Sequence, residues 1–154
     1  MKYLSVIIFI VLFSCNGQKK AVKGDGNGAN SSKNSLTLLL QDNYSGSDTS
    51  ETLIIKDRKS LQKFFSKINR TRKPGIPIPD VDFAKDMILI HCPGEQPLGE
   101  QVLFSIANEN NRELRLRSSV TRAEKNGESS VIVSPFSVYK MLLTTKNIVF
   151  EKED

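Results

Sequence analysis

Val81-Asp-Phe-Ala-Lys-Asp-Met87-Ile-Leu-Ile-His-Cys92 is the stretch on which the fold turns. Met87 to Cys92 is an unbroken apolar run with one histidine, closed at once by Pro93-Gly94. A run this short, rich in Ile and lacking polar alternation, reads as a strand buried on both faces. Val81-Asp-Phe83 leads into it, with Asp82 placed to cap the turn Phe83-Ala-Lys-Asp86 and Phe83 placed to plug the core at the strand entrance. Upstream, Pro74-Gly-Ile-Pro-Ile-Pro79 is barred from regular helix and central strand, because each proline loses a donor and fixes φ. Before those prolines, Leu61, Phe64, Phe65 and Ile68 recur at i, i+3, i+4 and i+7 behind the candidate caps Asp57 and Ser60, which predicts one helix. Strands are expected at Leu36 to Asp42 and Thr52 to Lys56 before the helix. After Cys92 they are expected at Gln101 to Ala107, Glu113 to Val120, Ser130 to Val133, Val138 to Leu143 and Asn147 to Phe150, with turns at Asn108 to Asn111 and Lys125-Asn-Gly127. The expectation is a mainly β, α+β fold: an antiparallel sandwich or strongly curved sheet of about eight short strands with one packed helix.

The whole chain has 154 residues, with 22 Lys+Arg against 17 Asp+Glu and 38% hydrophobic residues, which suits a single modest domain and excludes large barrels and multi-span membrane proteins. Its N-terminus has a different character. Met1-Lys2, then about ten nearly unbroken apolar residues from Leu4 to Phe13, then Ser14-Cys15, follow the layout of a signal peptide, and the run is too short for a permanent span. Leu12, Ser14 and Cys15 resemble the lipobox of bacterial lipoproteins, which implies residues 1–14 as a removed signal peptide and Cys15 as an acylated first residue. The alternative is an ordinary signal peptide with an incidental cysteine. Asn16, not Asp, follows Cys15, which by resemblance to sorting rules favours an outer membrane over an inner one. With residues 15–35, poor in aliphatic side chains and rich in Gly, Asn and Ser, a flexible tether of roughly 25 Å reach is expected, leaving residues 36–154 as the folded domain.

That division changes the meaning of the charge. Lys2 and the tether's Lys19, Lys20, Lys23 and Lys33 take five of the 22 cations, and Asp25 takes one of the 17 anions, so the domain holds 17 against 16. A near-neutral domain removes most of the case for nucleic acid. One local excess survives: Lys56, Arg58, Lys59, Lys63, Lys67, Arg70, Arg72 and Lys73 face only Asp57 within 18 positions. Arg58, Lys59, Lys63, Lys67 and Arg70 are therefore a candidate surface for an acidic partner or lipid head group, the alternative being a solvated helix face.

The sequence also resembles a family. Ile78-Pro-Asp-Val-Asp-Phe-Ala-Lys-Asp-Met-Ile-Leu-Ile90, the loop Gly94-Glu-Gln-Pro-Leu-Gly99 and Ser134-Pro-Phe-Ser-Val-Tyr139 resemble the PrcB-like C-terminal domain, over about Lys56 to Phe150. The motif residues here are Val81, Asp82, Phe83, Lys85 and Met87, then Pro135 and Phe136. The resemblance implies a lipoprotein subunit associated with a bacterial surface protease complex. Where the family pattern has Thr-Gly-Gly-Tyr, this chain has Leu98-Gly99-Glu100-Gln101, so a family contact made there would differ.

Little in the sequence suggests catalysis. Asp82 and Asp86 are paired carboxylates that suit a turn cap better than acid–base work. His91 and Cys92 are strand neighbours pointing to opposite faces, so neither activates the other, and a buried inert Cys92 beside a half-exposed His91 is expected. One His and one remaining thiol cannot supply a metal's ligands, and Ser129 and Ser130 lack a nucleophile-elbow pattern. Gly24-x-Gly-x-Gly28 has no strand before it to make a phosphate loop. No cofactor, metal, catalytic residue or small-molecule substrate is expected. Pro93, Gly94, Pro97, Leu98 and Gly99 form a conformationally restricted loop that would lose little entropy on docking to a protein. The expected role is a non-catalytic, lipid-anchored binding or accessory subunit. The alternatives are a protease inhibitor that inserts this loop in a cleft, as in the chagasin-type inhibitors it resembles, or a small hydrolase.

Overall fold

In the computed structural model, residues 34–122 and 131–152 are described. The expected signal peptide, Cys15, the tether up to Lys33, the turn at Lys125-Asn-Gly127 and the serines Ser129 and Ser130 lie outside them. The described elements are β1 (Thr37–Asp42), β2 (Glu51–Ile55), α1 (Arg58–Ile68), β3 (Asp86–Cys92), β4 (Gln96–Pro97), β5 (Glu100–Glu109), β6 (Glu113–Arg122), β7 (Ile132–Val133), β8 (Phe136–Leu142) and β9 (Asn147–Lys152). The architecture is the mainly β, α+β one that the patterning predicts, with nine described strands where about eight are expected.

β3 owes its place to its sequence. It lies inside an antiparallel sheet of order β1-β8-β3-β2, with β8 on one side and β2 on the other. Its even residues Ile88, Ile90 and Cys92 enter a core shared with Leu61, Phe64, Phe65 and Ile68 of α1. The odd residues Met87 and Leu89 enter a second core with Tyr139, Met141, Leu114 and Leu116. A strand covered on both faces has no use for polar alternation, hence the continuous apolar run. The molecule is layered: α1, then this sheet, then a second sheet of order β5-β6-β9.

α1 begins where the capping signal places it. Asp57 is extended, and its carboxylate accepts from the Ser60 backbone N–H at 2.8 Å and the Ser60 hydroxyl at 2.7 Å. Those two hydrogen bonds hold the Asp57 carboxyl below its usual range. At the far end the helix tightens into one 3-10 turn at Asn69–Thr71. The Asn69 side chain then donates to Ile76 O and accepts from Ile76 N, both at 2.8 Å, so it ties down the proline run that cannot pair with a sheet.

Two pairings depart from a simple succession of hairpins. β9 runs parallel to β6, and the chain makes this connection through β7 and β8. The stretch from Pro93 to Gly99, expected as a plain loop, contains β4, whose Gln96 and Pro97 pair with Val133 and Ile132 of β7. Pro97 is tolerated because a two-residue edge pairing needs few donors.

Candidate functional site

The layers part at one end, and the opening there is the candidate site. Thr52 of β2 and His91 of β3 are opposite each other in the register, with the Thr52 hydroxyl 2.9 Å from His91 Nδ1. Across from them stand Val102 and Phe104 of β5, Ser118 and Val120 of β6, and Phe150 and Glu151 of β9. Pro93 and Gln96 close the side, and together these groups bound a cleft of about 750 Å³. The Phe104 ring lies edge-on to His91 at 4.7 Å and to Phe150 at 5.6 Å, which gives the cleft an aromatic floor. The outer wall is apolar and open, with Val120 62% and Phe150 40% exposed. Among the described residues β2 is the outermost strand of its sheet, so the cleft lies beside a strand edge that no described strand pairs.

The lining is electrically quiet. Glu151 is held by Arg115 at 2.9 Å, and Arg115 also contacts Glu113 at 3.1 Å. His91 is 8% exposed, not half-exposed, because β5 lies over it. Burial depresses its pKa, with a contact to the Glu51 backbone working in the opposite direction. Folding therefore favours the neutral imidazole over the charged one. Gln96 Oε1 is buried and has no hydrogen-bond donor among the described residues. A buried acceptor left unpaired costs free energy that an incoming N–H would recover.

His91 also supplies a pH prediction. The unfolded chain protonates it near its ordinary value while the folded chain resists, so stability is full above about pH 6.5 and falls as pH drops towards the depressed folded-state value. It is the only histidine of the chain, and carboxylates titrate lower, so the window below pH 6.5 belongs to it. Thermal denaturation should show a Tm falling between pH 7.5 and pH 5, and His91→Gln should flatten that slope.

The other residues singled out from the sequence are scattered. Gly94 is buried against the backbone of Asp48, Thr49 and Ser50, and the Leu98 N–H donates to Val131 O at 2.8 Å. Of the candidate loop, Pro93 reaches the cleft and Pro97 is exposed, while Gly99 turns the chain into β5 with a φ of 101°. The loop is pinned at both ends and is not a free probe.

The family-motif residues are structural. Val81 and Phe83 pack on the α1 core, Met87 enters the other core, and Phe136 is buried beside Phe64. Asp82 accepts from the Ala84 N–H at 3.1 Å and pairs with Lys85 at 3.3 Å, which makes it the expected turn cap. Pro135 borders a second, smaller hollow of about 230 Å³ that Pro93 and Val102 share with the cleft. Asp86 faces Lys140 at 3.8 Å and sits at the opposite end of β3 from His91, so the two form no site. Cys92 points into the α1 core, where burial pushes its thiol up to about 11 and leaves it inert. Among the described residues no cluster of His, Cys, Asp and Glu is built to hold a metal, and no helix is long and apolar enough to cross a membrane.

The basic stretch separates into two sets. Arg58 pairs with Asp80 at 3.1 Å, and Arg72 pairs with Asp42 while lying over the Tyr44 ring. Lys59, Lys63, Lys67 and Arg70 are exposed and enter no salt bridge among the described residues.

Sequence reasoning missed Thr52, Gln96, Phe104, Val120 and Phe150. Thr52, Phe104, Val120 and Phe150 all fall in segments whose strand character is legible, but nothing local brings those strands together, and Gln96 falls in a stretch that reads as a loop. No family model, curated protein or solved structure matches this chain. The resemblance to the PrcB-like domain rests on its motif residues alone.

Proposed function

We propose that this chain is a non-catalytic, lipid-anchored accessory subunit that holds another secreted or surface protein, a protease by the family resemblance, close to an outer membrane. Cys15 carries the anchor, and the cleft between the two sheets is the grip. The observation that carries this reading is the combination within that cleft: aromatic and aliphatic walls, neutral polar groups, and the orphan acceptor Gln96 Oε1 beside the open edge of β2. An extended peptide segment supplies what such a site lacks, namely N–H donors for the acceptor and for the strand edge, and apolar side chains for Phe104 and Phe150.

The test is extraction of the native lipoprotein in mild detergent, side by side with Val120→Asp and Phe150→Ser. Both positions are exposed, so these variants should keep their circular dichroism and melting behaviour. The wild type should bring down a defined protein and both variants should lose it. Extraction that brings down nothing, or the same protein with all three, refutes the reading.

A second reading, a small hydrolase, draws on the contact between the Thr52 hydroxyl and His91 Nδ1, the spacing of a nucleophile and its base. Substrate conversion by the purified chain that disappears in His91→Ala and Thr52→Val would favour it over the binding subunit.

A further inference from the structure

We infer that the outward ridge of α1 is a docking surface for an anionic lipid bilayer, so that the anchored domain lies with its helix on the membrane and its cleft facing away. The inference builds on the lipid-anchored reading but stands on separate residues. Lys59, Lys63 and Lys67 recur at i, i+4 and i+8, and Arg70 continues the line into the 3-10 turn. At 100° per residue Lys59 and Lys63 lie about 170° and 150° around the helix from the centre of the face made by Leu61, Phe64, Phe65 and Ile68, and Lys67 lies about 110° from it, on the flank beside Gly46. Lys59 and Lys63 therefore point directly outward from the helical layer, and Lys67 borders them.

Only Lys67, in the last turn, suits the negative end of the helix dipole. Like charges at i, i+4 repel and oppose helix formation. The fold supplies carboxylate partners to Arg58 and Arg72, at the two ends of the same stretch, and none among the described residues to the ridge between them. Asp57, next to the start of the ridge, has its carboxylate engaged by Ser60 and feels the charge of Lys59 without a salt bridge. A row of cations without salt bridges among the described residues, on a near-neutral domain that the lipid-anchored reading ties by a short tether to an acylated residue, complements a negatively charged head-group surface. Being long and flexible, lysine side chains suit a plane of mobile charges better than a shaped acidic pocket. The layer order then fixes the orientation: α1 packs on one face of the four-stranded sheet and the cleft opens on the other.

The test uses the mature chain, residues 15–154, as Cys15→Ser, so that binding needs no acyl group. Its partition onto phosphatidylcholine vesicles is compared with partition onto the same vesicles carrying about a third phosphatidylglycerol. Binding should appear only on the anionic vesicles. It should also fade as salt rises from about 0.1 M to about 1 M, which shortens the screening length from about 10 Å to about 3 Å. Each lysine near the surface strengthens binding about fivefold, so the Lys59→Gln, Lys63→Gln, Lys67→Gln variant should bind on the order of 100-fold more weakly. Its tether lysines are intact and serve as the internal control. Equal partition onto neutral and anionic vesicles, or a triple variant that binds like the parent, overturns the proposal. So does a chain that ignores anionic vesicles but binds a polyglutamate matrix through the ridge, which would make the partner an acidic protein. Failure to find acyl chains on Cys15 in cell-derived material would refute the anchor and leave these vesicle results unchanged.

Discussion

Phe136→Ala should destabilise the domain by about 3–5 kcal/mol, the usual cost of deleting a fully buried aromatic side chain and leaving its cavity. Phe136 is 1% exposed at the start of β8, and its ring meets Phe64 edge to face at 5.4 Å. It joins the first strand residues of the sheet to the helix, so its loss loosens both. For a domain of this size the melting temperature should fall by roughly 10–30 °C, and the urea midpoint should move down with little change in slope. Phe136→Leu, which keeps most of the volume, should cost under about 1.5 kcal/mol. The pair also settles what the Pro135-Phe136 motif does. A contact residue would lose partner binding at unchanged stability, whereas a core residue loses stability first.

Gly94→Ala should cost about 2–5 kcal/mol, combining a left-handed backbone penalty of about 1–2 kcal/mol with an overpacking cost of about 1–3 kcal/mol. Gly94 has a φ of 89°, and an added Cβ would lie 2.9 Å from Asp48 O and 3.1 Å from both Thr49 C and Ser50 N. All three neighbours are backbone atoms, so no rotamer change can make room. Relief would require separating the turn before β2 from the segment that carries Pro93 and Gln96, breaking the Glu95 N–H bond to Asp48 O. Since Pro93 and Gln96 line the cleft, partner capture should fall together with stability. Denaturant titration of Gly94→Ala beside Glu95→Ala, an exposed neighbour, measures the effect. A difference under about 0.5 kcal/mol, the ordinary range for surface changes, would contradict it.

Parts of this molecule were legible because the information is local. Leu61, Phe64, Phe65 and Ile68 fall at helical spacing, and all four are buried. The apolar run from Met87 to Cys92 became a strand inside the sheet for the reason that its composition states. The cleft was not legible in this way. Thr52 and His91 are 39 positions apart, and only the register between β2 and β3 makes them neighbours. His91 was misjudged as half-exposed because strand alternation shows which face a residue occupies but not what covers that face; Phe104 covers it. Pro93 to Gly99 reads as a loop because its two prolines and two glycines look like breaks, while the two-residue pairing within it has the partner of Pro97 35 positions away at Ile132.

From the order of its residues alone, this chain determined which segments bury their side chains, where its helix begins and ends, and the contrast in composition between an apolar run with a lysine-rich polar stretch near the N-terminus and a near-neutral β-rich body. Those properties depend on periodicity, capping and proline chemistry, which act within a few residues. The tertiary structure decided the rest: that β9 runs parallel to β6, that two sheets stack and part around His91, and that Asp42 and Asp80 neutralise the flanking arginines while the helix lysines meet no carboxylate among the described residues. Those outcomes depend on contacts between distant segments, and such contacts exist only once the layers have packed.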